Sequence, residues 1–420
     1  MTIFIKYISI YVLLTICVHY SFGQIVTAVD LELLSDTNAP GTIALRSAFT
    51  NRKIVALGES THQVGTTFMV KAKLIKYLHE QMGYNVILFE SGMYDCFKAE
   101  QYLQSGDTSV KNLLDALFGI WWNTETQETL RYIISTRKTA HPIHFGGFDN
   151  QFMYKYSNQS FAQDIGQALD SINVIDASPL QVDSMFWKSL KKQIRYSNSF
   201  EKLPINDTLA LSRVLLPAIE SLDDSKKAKR IHNAMFWKSQ MVNIVSDYRK
   251  LYFPKLALRD SIMAVNLQWI ADSVYTQDKL IVWCATAHSA YNTNLVNNKY
   301  YQNKSMGSYL KSTYGDRYYS LAFTPNMGWG GYSMKWPFRY RIKAAKKGSI
   351  ECYAAEKCFC DYAFISCNND NKNEIERIWK SKIFWRKETK MPLFKIVDGV
   401  FYIKNMNIPT YRVLQKITNK

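Results

Sequence analysis

Short, uninterrupted apolar runs alternate with longer stretches of helical periodicity along this chain. Ile54-Val55-Ala56-Leu57 and Val86-Ile87-Leu88-Phe89 each suit a strand buried on both faces. Between them, Thr67 to Met82 places Phe68, Ala72, Ile75 and Leu78 on one face, and Gly83 is a natural helix stop. A strand, a helix and a strand at this spacing predict a right-handed crossover and a neighbouring parallel pair. Ahead of them, Leu31–Leu34 and Ala44–Phe49 read as helical pieces packed onto the first strand.

The same reading predicts helices over Asp95–Leu103, Val110–Phe118 and Glu125–Arg137, then a third strand opened by His141 and ending at Asp149. From about Ser160 to Val274 the pattern is helical and strandless, as in Met185–Tyr196, Leu209–Leu222, Ile231–Leu251 and Leu256–Ala271, with a hinge at Tyr252-Phe253-Pro254. A fourth strand, Leu280–Cys284, is followed by a helix at Met306–Tyr314 and a fifth strand at Tyr318–Phe323. Gly328-Trp329-Gly330-Gly331 reads as a tight turn, and the tail adds a helix near Ile350–Glu356 and strands at Tyr362–Ser366 and Val400–Ile403. The expected fold is α/β: a mostly parallel sheet flanked by helices, with a large helical cap inserted over the carboxyl edge of the strands. Residues 24–155 and 275–420 would form the core and 156–274 the cap.

Length and composition allow this, since 420 residues that are 47% hydrophobic can bury a large core. The N-terminus adds a targeting segment, with Lys6, an apolar run from Ile8 to Val18, and small residues at Ser21-Phe22-Gly23. This predicts a secretory signal peptide over residues 1–23 and an exported protein, periplasmic or extracellular. A lipid anchor at Cys17 is disfavoured by the bulky Ile16 before it. No later segment is long and apolar enough to span a bilayer.

The net charge of +17 raises nucleic acid as a partner, but the lysines are dispersed and no nucleic-acid motif accompanies them. A solvated basic surface explains the charge, and no nucleic acid is expected. Without Cys17, six cysteines remain, which permits disulfides. The group from Cys352 to Cys367 lacks the paired spacing of a zinc site, and Cys367, ending an apolar run, reads as a buried strand thiol.

Strand ends carry the candidate chemistry. The first four strands end in Glu59 and His62, in Glu90, in Asp149 and in His288. Open α/β sheets bind ligands at the carboxyl ends of their strands. An imidazole titrates near neutral pH and can take a proton from water, a carboxylate can fix its tautomer, and a second imidazole or a cation can stabilise an oxyanion. Trp121-Trp122 between two helices offers either core packing or an apolar wall for a bulky ligand. His141 and His144 would point to opposite faces of a strand, which argues against a metal pair. No Gly-x-Ser-x-Gly, Walker loop, Gly-x-Gly-x-x-Gly or His-Glu-x-x-His occurs. Ser60 carries no other mark of a nucleophile, so water activated by His62 is the simpler chemistry. A metal held by the two histidines and a carboxylate is the chemical alternative.

Gly58-Glu59-Ser60-Thr61-His62 with Phe68 and Glu90 resembles the opening motif of the erythromycin esterase family. Trp122-Asn123-Thr124 with Glu128, Gly147-Phe148-Asp149-Asn150-Gln151, Arg259-Asp260 with Met263 and Asn266, Val282-Trp283 to His288, and Met306-Gly307 follow in order. The resemblance implies an α/β core with a helical portion over the cleft, and hydrolysis of the macrolactone ester of 14-membered macrolides, the activity behind macrolide resistance. It implies His62 as the base, Glu59 and Glu90 as its carboxylate partners, and His288 lining the site. Lys71, Trp122, Asp149 and Arg259 become expected substrate contacts. Family members usually carry arginine at Lys71 and a His-Asn pair at Ala285-Thr286. The expectation is a metal- and cofactor-independent hydrolase of a small-molecule ester or lactone. A member that binds but no longer cleaves a macrolide, and a metal-dependent hydrolase, are its alternatives.

Overall fold

The computed structural model describes residues 25–152, 154–175, 180–197, 201–249, 252, 258–332, 338–367 and 372–411. The expected signal peptide and Cys17 lie outside these residues, as does the expected hinge apart from Tyr252.

Eleven strands are present among the described residues: β1 Val26–Ala28, β2 Ile54–Glu59, β3 Tyr84–Gly92, β4 His144–Asp149, β5 Lys279–Ala285, β6 Tyr318–Tyr332, β7 Phe338–Ile342, β8 Tyr362–Ser366, β9 Ile378–Ser381, β10 Thr389–Pro392 and β11 Gly399–Met406. Nine form one sheet in the order β1-β8-β11-β6-β2-β5-β3-β4, with β7 attached to β6, while β9 and β10 pair separately. From β11 to β4 every neighbouring pair is parallel. Parallel strands share one carboxyl edge, so β2, β3, β4 and β5 all end on the same side of the molecule. The fold is therefore α/β with a largely parallel sheet, as expected.

Strand adjacency differs from the expectation. β2 and β3 are not neighbours, because β5 lies between them, pairing Leu57 with Trp283 on one side and Phe89 with Trp283 on the other. Strands buried on both faces carry no lateral address in their apolar runs, so a later strand can enter the gap. Trp283 then fills the face above, stacked on Phe89 at 5.2 Å and tilted against Phe68 at 5.7 Å between ring centroids.

The helix Gly65–Met82 buries Phe68, Ile75 and Leu78 against the sheet and ends at Gly83 in the left-handed region, with φ 71°. Leu31–Leu34 forms turns, and the predicted Val110–Phe118 helix stops at Leu114. β4 begins at His144 rather than His141. Gly328-Trp329-Gly330-Gly331 is strand rather than turn, part of a fifteen-residue β6 that pairs antiparallel with β7. The glycines serve close approach there: a Cβ on Gly331 would sit 1.9 Å from the Phe338 carbonyl oxygen. Cys358 and Cys360 are disulfide-bonded, and Cys367 lies partly buried just beyond β8.

Between β4 and β5 the described elements are helical: Lys155–Gln159, Phe161–Ile175, Ser184–Tyr196, Ile205–Ser221, Ser225–Ala228, Ala234–Arg249 and Leu258–Trp269. A single π turn, Ile270–Val274, ends the last of them. That helix is tied to the sheet by Asn266, whose Nδ2 donates to the Phe148 carbonyl at 3.0 Å and to Asn243 Oδ1 at 2.9 Å. Its N-terminus carries Arg259 and Asp260 to the carboxyl ends of the strands. No helix among the described residues is long and apolar enough to cross a membrane.

Gly58 is what lets the loop after β5 close onto β2. A Cβ there would lie 2.5 Å from Ser289 Oγ and 2.9 Å from Thr286 Oγ1, and Thr286 Oγ1 donates to the Gly58 carbonyl at 2.7 Å. Gly58→Ala is therefore expected to cost about 1–3 kcal/mol of stability through overpacking. Urea unfolding of the two proteins measures it, and equal midpoints would refute the close approach.

Candidate active site

The last residue of β2, Glu59, is fully buried, and three different elements supply its partners. His62, one turn of chain later, places Nδ1 2.6 Å from Glu59 Oε1. Trp121, in a short 3-10 turn at Gly119–Trp121, donates Nε1–H to the same oxygen at 3.2 Å. Lys71, from the helix after β2, donates its ammonium to Glu59 Oε2. A buried carboxylate loses its water, and here these donors take its place. Burial pulls the Lys71 ammonium below its usual pKa, and the Glu59 charge opposes that pull. Lys71 also lies over the Trp283 ring at 4.7 Å.

His62 itself is only partly covered, with 29% of its side chain exposed, and its ring meets the Trp121 ring edge-on at 5.5 Å. With Nδ1 turned to the carboxylate, Nε2 is the ring nitrogen left on the other side.

Glu90, at the end of β3, belongs to a second cluster. Its Oε1 accepts from Arg259 Nη2 at 2.9 Å and from His288 Nε2 at 3.2 Å, and its Oε2 accepts from the Ala285 amide at 2.9 Å. Arg259 grips Asp149 with both Nε, at 3.2 Å, and Nη2, at 2.6 Å. His288 Nδ1 lies 2.7 Å from Asp260 Oδ1, which also accepts from the Met306 amide at 3.1 Å. Both ring nitrogens of His288 thus face carboxylates, which selects the imidazolium. Burial alone would lower its pKa, but Asp260 and Glu90 outweigh it and raise the value to about 10. The 3.1 Å approach of Arg259 Nη1 to His288 Nε2 is then a contact between two cations sharing Glu90. Burial would push the Glu90 carboxyl up, yet His288, Arg259 and His62 together hold it well below the usual range. Glu59 ends β2 and Glu90 lies near the end of β3, the two strands that flank β5, so both clusters sit on one edge of the sheet.

All of the expected residues except Trp122 fall in or directly beneath these clusters. Trp122 turns its indole N–H to the Leu114 and Leu117 carbonyls, at 2.7 and 3.2 Å, and it is Trp121 that reaches Glu59. Lys71 is fully buried under Glu59 and is shielded from any ligand, so its contact is with the carboxylate. Glu90 bonds His288 and Arg259 rather than His62. Asp260, which had no role in the sequence reading, orients His288; its only signal was its place beside Arg259. A cleft of about 350 Å³ opens against this cluster, lined by Arg259, Asp260, His288, Tyr300, Tyr301 and Asn303 among others. Among the described residues, no group of three or more His, Cys, Asp or Glu side chains is arranged to hold a metal ion.

The raised pKa of His288 makes stability depend on pH with a definite sign. The folded state holds this proton more tightly than the unfolded chain, so the contribution is complete below the ordinary value of 6.5. It is lost as pH rises toward about 10. The melting temperature should fall across that window, and His288→Asn should remove up to about 1.4 kcal/mol of the slope per pH unit. Scanning calorimetry at a series of pH values checks this; identical slopes for the two proteins would count against the imidazolium.

Comparison with known proteins places this geometry. Residues 79–391 match the family model of erythromycin esterase; Glu59, His62 and Lys71 lie just ahead of the matched span. The chain is 24% identical over 393 residues to YbfO of Bacillus subtilis (strain 168), provisionally named a hydrolase, covering 86% of this chain and 85% of that protein. It is 22% identical over 401 residues to the erythromycin esterase type II of Escherichia coli, covering 89% and 94% of the two chains. A solved Bacillus cereus protein superposes with a TM-score of 0.70 at 18% identity, over 92% of this chain and 94% of that one. A histidine variant of the erythromycin esterase EreC, in its open conformation, does so with a TM-score of 0.62 at 17% identity, over 92% and 99%. These relationships support a hydrolase, and the chain belongs to the erythromycin esterase family.

Proposed function

We propose that the chain hydrolyses an ester or lactone bond of a small molecule by water attack, with His62 as general base. The observation that carries this is the Glu59–His62 pair, 2.6 Å apart, with His62 partly open on the side away from the carboxylate. Glu59 keeps the proton on Nδ1 and stabilises the imidazolium that forms once Nε2 has taken a proton from water. The hydroxide equivalent attacks the carbonyl carbon, and the tetrahedral oxyanion collapses to expel the alkoxide, which recovers the proton from His62. His288 is a poor candidate for the base, since each of its ring nitrogens already faces a carboxylate. With Arg259 it supplies the positive field in which an oxyanion is stabilised.

Two departures from the usual family pattern bear on the substrate. Lys71 still gives Glu59 a buried cation, so the first departure leaves the base and its orienting carboxylate assembled. Ala285 contributes its backbone amide to Glu90, but no imidazole. Macrolide cleavage, and with it a role in antibiotic resistance, is therefore a narrower proposal than ester hydrolysis. Ala285 also supports the second reading, a member that binds a macrolide-like ligand without cleaving it. Export to the periplasm or outside the cell remains a proposal resting on the N-terminal apolar run.

Incubating the purified protein with 14-membered macrolides and simple aryl and alkyl esters, read by mass gain of one water, separates the readings. Hydrolysis is expected for at least one ester class, with His62→Ala losing about 10²–10⁴-fold or more in rate. Glu59→Gln should also fall steeply, because an uncharged amide leaves the imidazolium unstabilised. Wild-type turnover by His62→Ala would overturn the mechanism, and saturable macrolide binding with no product would establish the binder.

A further inference from the structure

At the far edge of the sheet lies a larger cavity that the proposed chemistry does not use. It has a volume of about 670 Å³ and is walled by Leu88, Phe97, Phe145, Phe236, Trp269 and Tyr275. Small-molecule sites commonly enclose roughly 300–1,000 Å³ with this kind of apolar wall. Gly146 on the edge strand β4 is part of its wall, and Leu88 packs directly over it, with Cδ2 2.6 Å from where a Cβ would lie. The helix that carries Arg259 at one end carries Trp269 at the other, and ten residues of helix rise span about 15 Å. The cavity is thus a helix length away from the His288 cluster.

Its polar groups are sorted by depth. Glu100 reaches the inner wall, but Arg137, His144 and the Phe145 amide occupy it at 3.1 Å each, so the interior offers a ligand no free charge of its own. The rim is more basic. Lys229 lines it, as do Lys238 and Asp223, which are ion-paired to each other, in a stretch from Asp223 to Lys238 that also holds Lys226, Lys227 and Arg230 against only one further acid, Asp224. Exposed apolar side chains, Met235 at 44% and Val274 at 47%, complete the mouth. An apolar interior beneath a basic rim is complementary to a molecule with a long hydrocarbon tail and an anionic head.

We propose that this cavity binds a single-chain amphiphile with a carboxylate head, of the long-chain fatty acid class, tail inward and head against Lys229. The site is independent of the hydrolytic cleft and does not require it to be active.

Titration calorimetry of the full chain with dodecanoate, below its micelle concentration, tests this. Saturable 1:1 binding is expected, with dodecan-1-ol weaker. Ala234→Trp, which fills the cavity from the start of the helix Ala234–Arg249, should abolish it. Lys229→Glu should weaken it by about fivefold. This residue lies at the rim and keeps the test decisive if the tryptophan variant misfolds. His62→Ala should bind dodecanoate as the wild type does, which separates this site from the proposed catalytic one. Absence of saturable binding, or binding unchanged by the rim substitution, would overturn the proposal.

Discussion

The buried charge of Glu59 is the constraint around which this site is built. A carboxylate without water needs donors on its lone pairs, or folding would neutralise it. The chain meets the need from three separate elements: a strand-end imidazole, a lysine from the next helix and an indole from a turn some sixty residues on. None of these can shift without unbalancing the other two. The position of His62 is accordingly a property of the whole first βα unit together with the Trp121 turn.

The second cluster follows the opposite logic. Asp149, Glu90 and Asp260 surround Arg259 and His288, so two cations are held permanently by three anions. The two halves differ in partner count: His62 has one carboxylate and an open side, while His288 has a carboxylate on each ring nitrogen.

Much of this was legible in the sequence, and the limits have physical causes. The apolar runs predicted the central strands, and their final residues predicted the ionisable groups, because a buried parallel strand can release a charged residue only where it leaves the sheet. Gly83 stopped its helix as expected. The strand order was not legible, since Ile54–Leu57 and Val86–Phe89 are equally apolar on both sides and nothing in them reserves a place for β5. Gly328 to Gly331 misled for a related reason: glycine marks close backbone approach as readily as a turn. Lys71 and Trp121 were invisible as partners of Glu59 because a buried ion pair between elements leaves no periodicity.

The insertion of β5 has a consequence for how the chain comes off the ribosome. Residue 54 pairs with residue 280, and residue 86 pairs with the same residue from the other side. The strands β2, β3 and β4 are complete by residue 149, but β2 and β3 cannot zip together without excluding the strand that belongs between them. They must wait, edges open, while the entire helical insertion is synthesised. Long-range pairing of this kind is slow, and exposes strand edges to wrong partners. The helices Gly65–Met82 and Met93–Gln104, packed locally against β2, β3 and β4, are the elements placed to shield the half-formed sheet. The cluster around Glu90 is then assembled late, when one strand closes the gap and carries His288 to its place.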